Sequence, residues 1–251
     1  MTFFTETWIV FARAMRLSLR NPTWVIIGLV QPILYLTLFG PLLKPLAHTL
    51  GTANAWQLFV PGMLVQLGIF GAMFVGFGLV AEYRAGVIES MRVTPASRTA
   101  LLLGRVLRDV LVLLVQATIL TLVAIPLGLR APIGGVLIGL VVVALLGAAF
   151  SSISYALALT LKSEDALAPL LNGVAIPVLL LSGILLPMSI APKWLQDVSD
   201  VNPLKHIVEA VRALFRGDLW VSTVVWGLGL TVGLVLVGTW YGTSTFRRES
   251  S

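Results

Sequence analysis

Six stretches of this chain, at about 23–43, 57–80, 110–127, 133–160, 166–186 and 221–245, contain no Asp, Glu, Lys, Arg or His. An α-helix rises about 1.5 Å per residue, so about 20 such residues cross the roughly 30 Å of hydrocarbon in a bilayer. Each run is long enough to cross. Strands of about 10 residues with alternating polarity, the mark of a membrane β-barrel, are absent. The rest of the composition agrees. The chain is 58% hydrophobic and 11% charged over 251 residues, against about 45–50% and about 25% for a soluble domain. No soluble core of this size hides that much apolar surface. The expected architecture is all-α and integral to a membrane, with six transmembrane helices in one membrane domain and no soluble domain.

The first run is long and lacks a small-residue cleavage site, so no cleavable signal peptide is expected. There is no cysteine, which excludes disulfides, thiolate metal sites and lipidated cysteines. Lys and Arg in short loops set orientation. With the N-terminus in the cytosol, eleven of the seventeen Lys and Arg fall on the cytosolic side and six outside. Both termini are therefore expected to face the cytosol. The net charge of +6 reads as contact with anionic lipid and as topology, not as nucleic-acid binding.

The segments between runs carry their own patterns. Residues 5–20 place Trp8, Phe11, Met15 and Leu19 on one helical face and Arg13, Arg16 and Arg20 on another. That pattern suits a helix lying on the inner leaflet, and Asn21-Pro22 ends it. Residues 82–109 concentrate charge: Glu82, Arg84, Glu89, Arg92, Arg98, Arg105, Arg108 and Asp109. Residues 82–93 read as a short cytosolic helix with Tyr83, Gly86, Val87 and Met91 on one face and Glu82, Glu89 and Arg92 on the other. Thr94-Pro95 is expected to cap the next helix. That helix projects from the membrane before its apolar run begins, with Arg105 and Asp109 as i,i+4 partners. Residues 187–219 form an outer helical loop, in which Asn202-Pro203 starts a helix and Gly217 stops it. Its stripe of Leu204, Ile207, Val208, Val211, Leu214 and Phe215 is expected to dip into, or lie on, the outer interface.

Several chemistries are missing. There is no GxxxxGK[ST] loop, so this chain does not hold ATP through a P-loop of its own. The runs lack the ionisable groups of a proton relay. His48 and His206 are the two histidines; His206 and Glu209, three apart on a helix, read as a solvated polar face rather than metal ligands. Ser151, Ser152 and Ser154 have no histidine partner and read as small residues for close packing. What remains in the spans is mild polarity. Gln31, Gln66, Gln116 and Asn172 either bond between helices or line a substrate path. Phe70, Phe74 and Phe77 form a stripe that packs or meets lipid, or lines that path.

Three segments carry a family resemblance. "VFARAMRLSLRNPTWVIIGLVQPILYLTLFG", "LFVPGMLVQLGIFGAMFVGFGLVAEYRAGVIESMRVTPASRTALLLGRVLRDVL" and "SGILLPMSIAPKWLQDVSDVNPLKHIVEAVRALFRG" resemble, in order, the start, the central signature and the outer loop of type-2 ABC exporter permeases. The daunorubicin-resistance branch is the most similar. The resemblance implies a plasma-membrane subunit that pairs with a second permease, identical or homologous, and with separate ATP-binding chains that hold ATP and Mg. It makes 82–93 a coupling helix. Glu82, Gly86, Glu89 and Pro95 match the signature, with Gly104. Arg84 and Arg92 match less strictly, and Val87-Ile88 replaces the usual Thr-Leu. On this reading the chain has no catalytic residue, cofactor or metal. Tyr83, Val87 and Met91 would fill an apolar groove on the ATPase while Glu82 and Glu89 meet basic groups. The cargo expected is amphipathic, drug-like or lipid-like. Two other classes stand beside this one: a passive channel or structural membrane subunit, which needs no docking helix, and an intramembrane enzyme, which needs a reactive constellation absent here.

The orientation is directly testable in a cysteine-free chain. A cysteine at Ser199 is expected to react with an impermeant maleimide from outside the cell and one at Ser251 not to react; the opposite pattern inverts the topology.

Overall fold

The computed structural model describes residues 2–21, 23–49, 54–86 and 97–248, and among them every regular element is a helix. In chain order these are α1 (Phe3–Arg20), α2 (Thr23–Thr49), α3 (Ala55–Met73), α4 (Gly76–Arg84), α5 (Arg98–Leu127), α6 (Ile133–Leu161), α7 (Glu164–Leu181), a 3₁₀ turn (Met188–Ile190), α8 (Lys193–Asp200), α9 (Pro203–Arg216) and α10 (Ser222–Arg248). Six of them, with α3 and α4 counted as one, are long and apolar enough to cross a membrane. The bundle has two ends. The elbow end holds Arg84, Arg98, Lys162 and Arg248; the loop end holds Asn54, Gly128, α8 and α9.

The second span is the axis. Sixteen of the nineteen residues of α3 are buried, against α2, α5, α6 and α9. Its continuation breaks at Phe74–Val75, where i→i−3 bonds replace the helical ladder. The break has a physical cause on the neighbouring helix. The Ser154 hydroxyl accepts from the Gly76 N–H at 2.9 Å and donates to the Met73 carbonyl at 2.6 Å. A side chain inserted into the ladder in this way kinks a helix without proline. Gly76 is required there, because a Cβ would lie 2.6 Å from the Ser154 carbonyl oxygen.

Small residues set how closely the other helices approach. α10 runs along α6, and a Cβ on Gly238 would stand 2.7 Å from the Ala149 carbonyl oxygen. Hydrophobic sorting does not drive such pairs in lipid; close van der Waals contact does. α5 spans 30 residues, about 45 Å, and so extends beyond a hydrocarbon core.

Four local expectations meet different outcomes. α9 begins with the Asn202 side chain accepting from Leu204 N–H at 3.0 Å, has Pro203 at its start and ends at left-handed Gly217. Its apolar stripe, however, is not offered to a membrane interface. All six residues are buried, between α3, α6 and α10. α7 stops at Leu181 rather than running to 186, because Ser182 and left-handed Gly183 turn the chain. α5 begins at Arg98 with Ser97 as its cap; Thr94-Pro95 lies outside the described residues. Ser199 is fully buried, so the exposed Asp197 is the better position for the labelling cysteine.

The packing makes a paired prediction on one helix. Gly238→Ala is expected to lose about 1–3 kcal/mol through overpacking. Gly229→Ala, where nothing lies within 4 Å, is expected to be neutral or to gain about 0.5–1 kcal/mol from helix propensity. Thermal midpoints in detergent separate the two; equal shifts refute the packing assignment.

Candidate functional site

The charge concentrated at 82–109 resolves into a knot at the elbow end. α4 ends at Arg84, and Gly86 turns the chain at φ 71°. Each residue of that last turn reaches a different helix. Arg105 on α5 donates to the Glu82 carboxylate at 2.5 Å. The Lys162 ammonium, at the left-handed end of α6, lies 5.7 Å from the centre of the Tyr83 ring. Arg84 faces Glu164, in the first turn of α7, at 3.7 Å. Arg84 and Glu164 are both well exposed, so their pairing contributes about 0–1 kcal/mol. Arg105 is 8% exposed, and its bond is the stronger, charge-assisted kind.

The returning chain is fastened as firmly. The Ser97 N–H donates to the Glu6 carboxylate of α1 at 2.8 Å, while the Ser97 hydroxyl accepts from Ala100 N–H. Along the same contact Gly104 admits α1: a Cβ there would meet the Val10 side chain at 2.7 Å and the Thr7 carbonyl oxygen at 2.9 Å. Deeper in, the buried Asp109 is met by Arg108 at 3.2 Å and by the Tyr155 hydroxyl of α6 at 2.6 Å. The Arg108 Nε is a buried donor with no partner among the described residues.

Five helices thus converge on the two feet of segment 87–96. Val87, Glu89, Met91, Arg92 and Pro95 lie outside the described residues. Glu82, Tyr83, Arg84 and Gly86 are described, and they differ from the sequence reading in one respect. The helix holding Glu82 closes at Ala85–Gly86, and the carboxylate binds Arg105 within the chain, so Glu82 acts as an internal tie. Arg105 bonds Glu82 and also acts electrostatically on Asp109, as its i,i+4 spacing leads one to expect, while Arg108 and Tyr155 contact Asp109 directly.

The residues expected along a substrate path have the following partners. Gln116 donates across to the Val25 carbonyl of α2 at 2.8 Å. Gln31 donates along α2 to the Tyr35 hydroxyl at 3.4 Å, and Asn172 donates back to Ala168 at 2.9 Å; both are exposed. Gln66 is 3% exposed, and its side-chain oxygen has no partner among the described residues. Phe70 and Phe74 stand 6.3 Å apart, and Phe74 stacks on Phe77 at 6.0 Å, beside the break in the second span. His206 contacts the Asp200 carbonyl at 3.0 Å, and no metal-ligating cluster occurs among the described residues.

Sequence reasoning missed three positions. Ser154 was counted as a packing residue, although it also bridges the break. Glu6 was passed over beside the arginines of α1. Arg212 entered only as one of the six Lys and Arg counted outside, yet it is buried and its hydrogen bonds among the described residues go to carbonyl oxygens. Its signal was its place inside the apolar run from Ala210 to Phe215.

Known proteins are similar in sequence to most of this chain. The chain is 29% identical over 227 residues to the daunorubicin resistance ABC transporter permease protein DrrB1 of Streptomyces coeruleorubidus, covering 90% of this chain and 80% of that one. It is 27% identical over 223 residues to a Cyanophora paradoxa protein that carries the name ycf38 transport permease, covering 87% and 77%. A family profile described as ABC-2 type transporter matches residues 5–215, and with that match the chain belongs to the ABC-2 type transporter family, as a membrane-spanning permease rather than an enzyme.

Proposed function

We propose that this chain is the membrane half of an ATP-driven exporter, powered by a separate ATP-binding chain that docks on segment 87–96. The observation that carries this reading is the knot at the elbow end. Both feet of the segment are tied to α1, α5, α6 and α7, so a push on it reaches the second and third spans together. The second span is the most enclosed helix of the bundle. The segment itself has Glu89, Met91 and Arg92 for a partner's groove, flanked by Val87 and Pro95. Glu82 and Arg105 transmit the push rather than contact the partner.

ATP and Mg belong to the partner chain on this reading. The elbow end and both termini lie in the cytosol, in keeping with the Lys and Arg distribution, and the membrane is the plasma membrane. A second permease copy or a homologue completes the pathway. Amphipathic, drug-like or lipid-like cargo suits spans that offer amides and apolar surface without fixed charge, and the drug-resistance name of one relative points the same way.

The test joins partner capture with charge exchange. Affinity purification from native membranes is expected to recover a P-loop ATPase. Glu82→Arg alone, and Arg105→Glu alone, are expected to insert and fold but to lose about tenfold or more of ATP-dependent transport, from a charge-assisted bond of roughly 1.5–3 kcal/mol. The double exchange is expected to recover most of it. Glu89→Ala is expected to lose transport and ATPase recovery together. A passive channel would instead conduct without ATP and survive deletion of residues 87–96.

A further inference from the structure

The loop end holds a cation that the coupling reading leaves unused. Arg212 of α9 is 5% exposed. Its Nε donates to the Leu58 carbonyl at 2.9 Å, and its Nη2 donates to the carbonyls of Gly183 at 2.8 Å and Ile184 at 3.2 Å. No carboxylate is among these partners. Burial pulls its pKa down to about 10, eased by Glu209, so at neutral pH the guanidinium keeps its charge. Gly183 and Ile184 follow the last turn of α7, where the helix dipole presents its negative end. Leu58 is in the first turn of α3, and one turn further on Gly62 presses against the same seam: a Cβ there would sit 2.4 Å from the Ile184 oxygen. Asn202 adds a second tie from α9 to α7, donating to the Val178 carbonyl at 3.2 Å.

One guanidinium therefore joins the loop-end mouths of the second and fifth spans, which touch each other little elsewhere. We propose that Arg212 is the latch of that mouth, a positioning residue that holds the two spans together when the transporter is closed and exchanges its carbonyl partners when it opens. Neutral acceptors suit this role. Their release separates no ion pair and strands no carboxylate, and five N–H donors in a planar fork find water readily.

The latch rests on the exporter reading, but its first test does not need a partner chain. Ser182, next to Gly183, is 1% exposed, and the chain has no cysteine. In nanodiscs, Ser182→Cys is expected to react slowly with a maleimide. Adding Arg212→Gln is expected to raise the rate at least about tenfold, the factor that corresponds to about 1.4 kcal/mol in the opening equilibrium, and Arg212→Lys is expected to fall between. Ser152→Cys, buried on α6, serves as control and is expected to stay slow. Equal rates at Ser182→Cys with and without Arg212→Gln overturn the proposal, as does a rise at both positions, which marks general loosening. Should the Arg212→Gln chain not fold, Ser182→Cys with Arg212 intact is labelled in complex with the ATP-binding chain. Acceleration on nucleotide trapping supports the latch, and an unchanged rate overturns it. Failure to capture any ATPase would sink the exporter reading and leave the nanodisc result standing.

Discussion

In hydrocarbon every backbone N–H and C=O needs a partner within the protein, and the second span is where this chain meets that demand most tightly. α3 is almost wholly enclosed by its neighbours, so a break in its ladder cannot be relieved by water. Ser154 supplies both a donor and an acceptor at the break. The consequence is a rigid half, α3, joined to a short half, α4, through a turn tied to α6. Helices packed on α3 inherit its position, and the elbow inherits the direction of α4.

The two ends of the bundle use polar groups differently. At the elbow end, acidic and basic side chains pair across helices: Glu82 with Arg105, Arg84 with Glu164, Asp109 with Arg108 and Tyr155. Only Arg84–Glu164 is well exposed and cheap to exchange; Arg105 and Asp109 are buried and hold the helices together. At the loop end, one buried guanidinium meets carbonyl oxygens, and the apolar side of α9 fills the space between spans.

Membership of the ABC-2 type transporter family gives the elbow its context, and the geometry refines which of its residues do what. Glu82, expected on a docking face, bonds Arg105 of α5 within the chain.

The sequence by itself determined the six spans, the projecting third helix, the capped and stopped helix at 203–216 and the crowding of charge at 82–109. Each follows from local chemistry: run length against bilayer thickness, Asn-Pro before a helix, glycine at a left-handed stop. Only the tertiary structure decided what covers each face. The stripe from Leu204 to Phe215 has the same periodicity whether it meets lipid or other helices, because lipid tails are as apolar as leucine. Glu82 lies near several arginines in sequence, and only the approach of α4 to α5 selects Arg105. Arg212 sits in an apolar run, and three carbonyls from distant segments make its burial tolerable. Pairing across helices depends on how closely backbones approach, and that is set by glycines and serines whose contacts lie far away in sequence, as between Gly104 and α1 or Gly62 and Ile184.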